Sequence, residues 1–192
     1  MRPLDEKTQI VRQICDALGA GDASTASEIA RRDYPLSAPT AGSRSISPFE
    51  ATSVFQRDGF IDRYSGTRLV FPAVLRLLSR LLPDEFPFHT NWKMSESHII
   101  YYELCATVDH IIPVARGGTN TADNWVTTSM AHNSAKANYT LNEIGWTLLP
   151  PGYLADWDGL LAWFLDFIAK HPEHLSENYL KTWHSAAKRV TR

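Results

Sequence analysis

Asp109 and His110 are neighbours near the end of a β-branched run, Thr107 to Ile112, and Asn133 follows on a stretch free of Gly and Pro. Successive strand residues point to opposite faces only while the pleat lasts. Pro113 ends the ladder close by, so both side chains can turn toward one site. An Asp carboxylate and an Asn carbonyl are hard oxygen ligands that suit Mg²⁺ or Mn²⁺, with water in the remaining positions. An imidazole beside such an ion titrates close to neutral pH and suits a general base. A metal, a base and a polar orienter make a minimal phosphodiester hydrolase.

The surrounding stretch reads VDHIIPVARGGTNTADNWVTTSMAHNSAKAN. It resembles the HNH endonuclease motif, the ββα-metal nuclease core. The resemblance rests on Asp109-His110, Ile112-Pro113, Gly117-Gly118, Asp123-Asn124 and the Asn133 and Lys136 pair. Asn124 falls fourteen residues after His110, Asn133 nine after Asn124, and Lys136 three further on. The resemblance implies that His110 is the general base that deprotonates the attacking water, and that Asp109 and Asn133 are metal ligands. His132 competes with Asn133 for the second ligand position, and spacing favours Asn133. Asn124 would fix the loop and orient the base. Lys136 or Arg116 would contact phosphate. The implied protein is a metal-dependent endonuclease whose substrate and partner is DNA. The competing reading is a non-catalytic nucleic-acid-binding module on a nuclease scaffold.

One part of the family pattern is missing. Many members carry two CxxC pairs that bind a structural zinc. Here Asp62 and Ser65 stand at the first pair of positions, and Ser129 and His132 at the second. That is a poor structural zinc set beside four thiolates, so no structural zinc is expected. Hydrogen bonds and apolar packing are expected in its place.

To position these residues the chain needs a strand over Thr107–Ile112, a loop over 113–123, a strand over Asn124–Thr128 and a helix over Ser129–Asn138. The fold class that follows is α+β, a small ββα core embedded among flanking helices. Upstream, Ile10, Val11, Ile14, Cys15 and Leu18 make a helical stripe. A second short helix is expected from about Asp22 to before Pro35. Residues 35–47, rich in Pro, Ser, Ala and Gly, read as a linker, so residues 1–46 form a helical arm and 47–192 the nuclease domain. Ser47, Pro48 and Glu50 spell a capping box at a helix start. The runs 60–64 and 67–71 around Ser65-Gly66 suggest a hairpin. Pro72 opens a helix that Pro83 ends. Residues 97–104 fit a short helix or a strand. A helix from Trp157 through Ile168 and a last one over 176–190 complete the chain.

The chain has 192 residues, with 19 Lys+Arg against 21 Asp+Glu and a net charge of −2. A strongly basic nucleic-acid binder is excluded, so any such contact must come from a local patch. Residues 57–80 hold five arginines against two aspartates, which makes Arg63, Arg68 and Arg76 candidates. Lys181, Lys188, Arg189 and Arg192 form a second basic cluster. No span long enough for a bilayer is expected, and the absence of a leader pattern points to the cytoplasm by default. The two cysteines, Cys15 and Cys105, read as buried thiols. Palindromic cutting would favour a homodimer, although the sequence carries no dimer signature.

Overall fold

The computed structural model describes residues 4–35 and 45–191. These fall into two compact units, one on each side of the linker segment. Most of the linker expected over 35–47 lies outside the described residues, as does Arg192.

The first unit is a helical hairpin. Helix α1 (Leu4–Gly19) carries Asp5 and Glu6 in its first turn, where acids complement the dipole. A turn at Gly21, with φ +80°, leads to α2 (Ala23–Asp33), capped by Asp22 accepting from Thr25 N at 2.9 Å. Ile10 and Ala26 are buried. Cys15, expected inside, is exposed.

In the second unit, helix α3 (Pro48–Arg57) begins with the expected capping box. Ser47 accepts from Glu50 N, and the Glu50 carboxylate accepts from Ser47 N at 2.8 Å. Helix α4 (Pro72–Leu81) opens on Pro72 and buries Val74, Leu75 and Leu77. The short α5 (Ile100–Leu104) feeds strand β1 (Ala106–His110), so residues 97–104 end in a helix rather than a strand. Strand β2 (Trp125–Ser129) pairs antiparallel with β1, with His110 opposite Trp125 and Asp109 opposite Val126. Helix α6 (Met130–Lys136) follows at once, capped by Ser129 accepting from His132 N. A single turn, α7 (Leu141–Ile144), precedes α8 (Leu161–Lys170) and α9 (Asn178–Val190). The result is α+β, with a two-stranded ββα unit among helices.

The core beside this unit is aromatic. Phe71 lies 5.5 Å from Phe164 and 5.4 Å from Trp183, ring centre to ring centre, and Phe55 sits 5.7 Å from Phe60. Helices α3, α4 and α8 all pack on α9. This mass is the platform behind β1 and β2. Among the described residues no helix is long and apolar enough to cross a membrane.

Two expected elements differ. The hairpin over 60–71 keeps its turn but not its strands, and only Ile61 and Arg68 bridge. The flanking backbone has other partners: Arg63 N donates to Thr127 O at 2.9 Å and Val70 N to Leu104 O at 2.8 Å. The helix expected from Trp157 starts at Leu161. Leu160 is left-handed, with φ +63°, and the Asp158 carboxylate accepts from Leu160 N and Ala162 N, both at 2.9 Å. Trp157 instead donates its indole N–H to Leu69 O at 2.6 Å.

Candidate active site

The site is assembled where β1 ends, where the following loop turns and where α6 returns. The loop is held by Asn124. Its Oδ1 accepts from Ile112 N at 2.9 Å, and its Nδ2 donates to Ile112 O and Thr119 O, both at 2.8 Å. These bonds close the loop on itself. Gly118 fits beneath the clamp because a Cβ there would collide with Ile112 O and crowd Asn124 Nδ2. The Asn124 side chain thus bonds the loop backbone rather than the imidazole.

Helix α6 reaches across the strand end. Asn133 and Lys136 are three apart and share one face of it. Asn133 Nδ2 donates to Val108 O at 3.2 Å and to Thr107 Oγ1 at 3.3 Å. Lys136 Nζ donates to His110 O at 2.7 Å and lies 2.9 Å from Asp109 Oδ2. The Lys136 side chain is 0 % exposed. Its buried charge is matched by the Asp109 carboxylate, as a buried ammonium requires.

Asp109 Oδ2 also accepts from the Tyr64 hydroxyl at 2.6 Å. Burial, reinforced by the Asp109 charge, pushes the Tyr64 phenol far up, so it remains a proton donor to the carboxylate. Both partners bind the same oxygen, and Asp109 Oδ1 has none. The Asn133 amide oxygen and His110 Nδ1 likewise have no protein partner. Among the described residues no buried side-chain nitrogen or oxygen lacks a partner. All three atoms therefore open to solvent.

The other ring nitrogen of His110 is engaged. Nε2 lies 2.8 Å from Asn120 Oδ1, and the Trp125 indole N–H is directed at the same pair. The His110 and Trp125 rings, opposite each other in register, meet edge to face at 6.4 Å.

Asp62, Ser129 and His132, three of the four positions compared with cysteines, are joined by hydrogen bonds. Asp62 Oδ1 accepts from Tyr64 N at 2.9 Å and Thr128 Oγ1 at 3.1 Å. Its Oδ2 accepts from Ser129 N at 3.0 Å and lies 2.7 Å from His132 Nδ1. Burial raises this carboxyl's pKa. The donors from Ser129, Tyr64 and His132 together outweigh burial and hold it below the usual range. His132 is thereby tied to Asp62, which leaves the α6 face at the strand end to Asn133.

Three arginine and lysine readings are corrected. Lys136 is wholly buried and meets Asp109, so it presents no charge to a phosphate on the surface. The Arg63 side chain is 12 % exposed. It pairs with Asp58 at 2.9 Å and donates to Leu149 O, tying the knuckle turn to the following chain. Arg76 pairs with Glu177 at 2.6 Å and lies over the Phe88 ring. Arg68 and Arg116 remain on the surface. Sequence reasoning missed Tyr64, Asn120 and Trp125. Trp125 had a usable signal, since an antiparallel pair closed around His110 brings the residue after Asn124 opposite it. Tyr64 comes from 45 residues upstream, and no local pattern announces it.

Among the described residues no group of three or more His, Cys, Asp and Glu could hold a metal. The open donors fit a different kind of ion. A carboxylate oxygen and an amide oxygen are the donor types of a hard octahedral cation such as Mg²⁺, which is commonly held by one or two protein oxygens. They do not match a soft tetrahedral ion.

Searches of the curated proteins and of the solved structures find no match to this chain. The family scan does find one. The model described as HNH endonuclease matches residues 95–135, the stretch that holds α5, β1, the Asn124 loop, β2 and nearly all of α6. Over that segment the chain is similar to the HNH endonuclease family, a similarity that points toward nuclease chemistry.

Proposed function

We propose that the protein is a metal-dependent endonuclease that hydrolyses phosphodiester bonds in DNA, with His110 as general base. The carrying observation is that three reactive atoms stay open at one strand end: His110 Nδ1, Asp109 Oδ1 and the Asn133 amide oxygen. The last two would hold Mg²⁺ or Mn²⁺. When bound, the ion would offset the negative charge that builds on the phosphate and on the leaving 3′ oxygen.

The protein's own part is proton transfer and positioning. His110 Nδ1 takes a proton from water as the water oxygen attacks phosphorus. The bond from phosphorus to the 3′ oxygen breaks, and that oxygen leaves with a proton from solvent. Asn124 keeps the loop closed, and Tyr64 and Lys136 hold Asp109 by one oxygen so that the other faces out. Arg68 and Arg116 are the side chains we assign to phosphate contact. Residues 47–192 would act as the nuclease domain, and residues 1–46 as a helical arm.

The test is nicking of supercoiled plasmid with Mg²⁺ or Mn²⁺. His110→Ala is expected to lose roughly 10²–10⁴-fold, the usual worth of a general base. Cleavage by this variant at the wild-type rate overturns the assignment. One observation favours the second reading, a binding module without catalysis: Lys136 already supplies Asp109 with a cation. EDTA separates the two, since it abolishes cleavage by the enzyme and leaves simple DNA binding in place.

A further inference from the structure

Asn120 lies in the loop between Gly118 and Asn124, four residues before the Asn that the motif supplies. Its Oδ1 is 2.8 Å from His110 Nε2. The Trp125 indole N–H donates to the same oxygen at 3.2 Å and reaches Nε2 at 3.1 Å. An indole nitrogen is only ever a donor, and an amide oxygen accepts two hydrogen bonds. With Oδ1 between the two rings, both its lone pairs are used if Nε2 carries a hydrogen. The imidazole is then protonated on Nε2 and bare on Nδ1, the nitrogen that opens to solvent. If the amide were turned, with Nδ2 inward, Nε2 would have to accept and Nδ1 would carry the hydrogen. A neutral ring in that form could not take a proton from water at its open edge.

We propose that Asn120, backed by the Trp125 indole, is the positioning residue that fixes the His110 tautomer and ring angle, a role the Asn124 side chain does not fill. It accepts the hydrogen on the far nitrogen and so leaves Nδ1 bare at the open edge. The elements explain the placement. Asn124 closes the loop by holding Thr119 O, which sets Asn120 beside it. The β1–β2 register puts Trp125 directly across from His110. The proposal rests on His110 being the base of the nuclease reaction.

The experiment uses the full chain with ¹⁵N-labelled histidine, the His110 ring signals being assigned by their loss in His110→Gln. Nitrogen shifts of the neutral ring distinguish Nε2–H from Nδ1–H without any substrate. Plasmid nicking is measured in parallel on wild type, Asn120→Leu and Asn120→Asp. Wild type is expected to show the Nε2–H form. Asn120→Leu is expected to give a mixture of tautomers and a kcat lower by about 10–100-fold, with KM for plasmid little changed; wrong-tautomer losses can be larger. Asn120→Asp keeps an acceptor and is expected to restore both the tautomer and most of the rate. A wild-type ring in the Nδ1–H form overturns the proposal, as does an Asn120→Leu variant with an unchanged rate. The nitrogen signals decide the contact even if plasmid is never cut, so failure of the nuclease reading is told apart from failure of this one.

Discussion

Asp62, in the 60–71 turn, and Asp109, on β1, are both buried carboxylates, joined by one residue. Tyr64 gives its backbone N–H to Asp62 and its hydroxyl to Asp109. Asp62 has four partners, two on each oxygen. Asp109 has two, both on Oδ2. The first is a saturated carboxylate that binds the knuckle turn to β2 and α6. The second is held by one oxygen and presents the other. A carboxylate can be buried either to brace the fold or to bind something, and the number of oxygens left unpaired separates the two uses.

The contrast can be broken by making the same substitution at both places. Asp109→Asn keeps shape and removes charge from the open oxygen. It is expected to lower nicking by at least about 100-fold, with the native near-UV circular dichroism retained. Asp62→Asn turns an acceptor-only group into one whose Nδ2 faces donors. It is expected to destabilise by about 2–3 kcal/mol, read as a lower urea midpoint, while the folded fraction still cuts. If the two variants trade phenotypes, the assignment of roles is reversed.

Lys136 sharpens the comparison from the cation's side. Lys136→Met leaves Asp109 buried without its ammonium, a change expected to cost about 3 kcal/mol. Mn²⁺ should then raise the Tm of Lys136→Met more than that of wild type, because a bound cation stabilises the folded state that needs it. EDTA should remove the difference. Equal shifts in both proteins would mean that Asp109 is not a metal ligand.

Much of this was legible in the sequence because it is local. The capping box at Ser47 to Glu50, the two strands and the spacing of His110, Asn124 and Asn133 all lie within a few turns of chain. The unreadable parts are long-range. Lys136 looked like a surface phosphate contact because nothing near it says that the helix turns it inward onto Asp109. Arg63 and Arg76 looked like a basic patch, but besides the nearby Asp58 on Arg63 their partners, Leu149 and Glu177, lie 86 and 101 residues away. The misplaced start of α8 is different in kind. The apolar spacing from Trp157 onward is genuinely helical, and a left-handed Leu160 after Gly159 overrides it.

The smallest expected effect is on the pH dependence of stability. The Asp62 carboxyl titrates below its ordinary 3.8 in the folded chain. The unfolded chain therefore binds the proton first as pH falls. The stabilisation is present in full above the unfolded pKa and is lost as pH drops through the folded one. Urea midpoints measured from pH 6 downward should fall more steeply near and below pH 4 in wild type than in Asp62→Asn, which has no proton to bind at that site. His132 makes the comparison specific, because it faces the same oxygen. Replacing it with Ala removes one of the four donors, leaves Ser129 N, Tyr64 N and Thr128 Oγ1 in place, and should move the acid transition toward higher pH. A wild-type acid limb that coincides with that of Asp62→Asn would place the acid sensitivity of the fold elsewhere and remove the saturated half of the comparison.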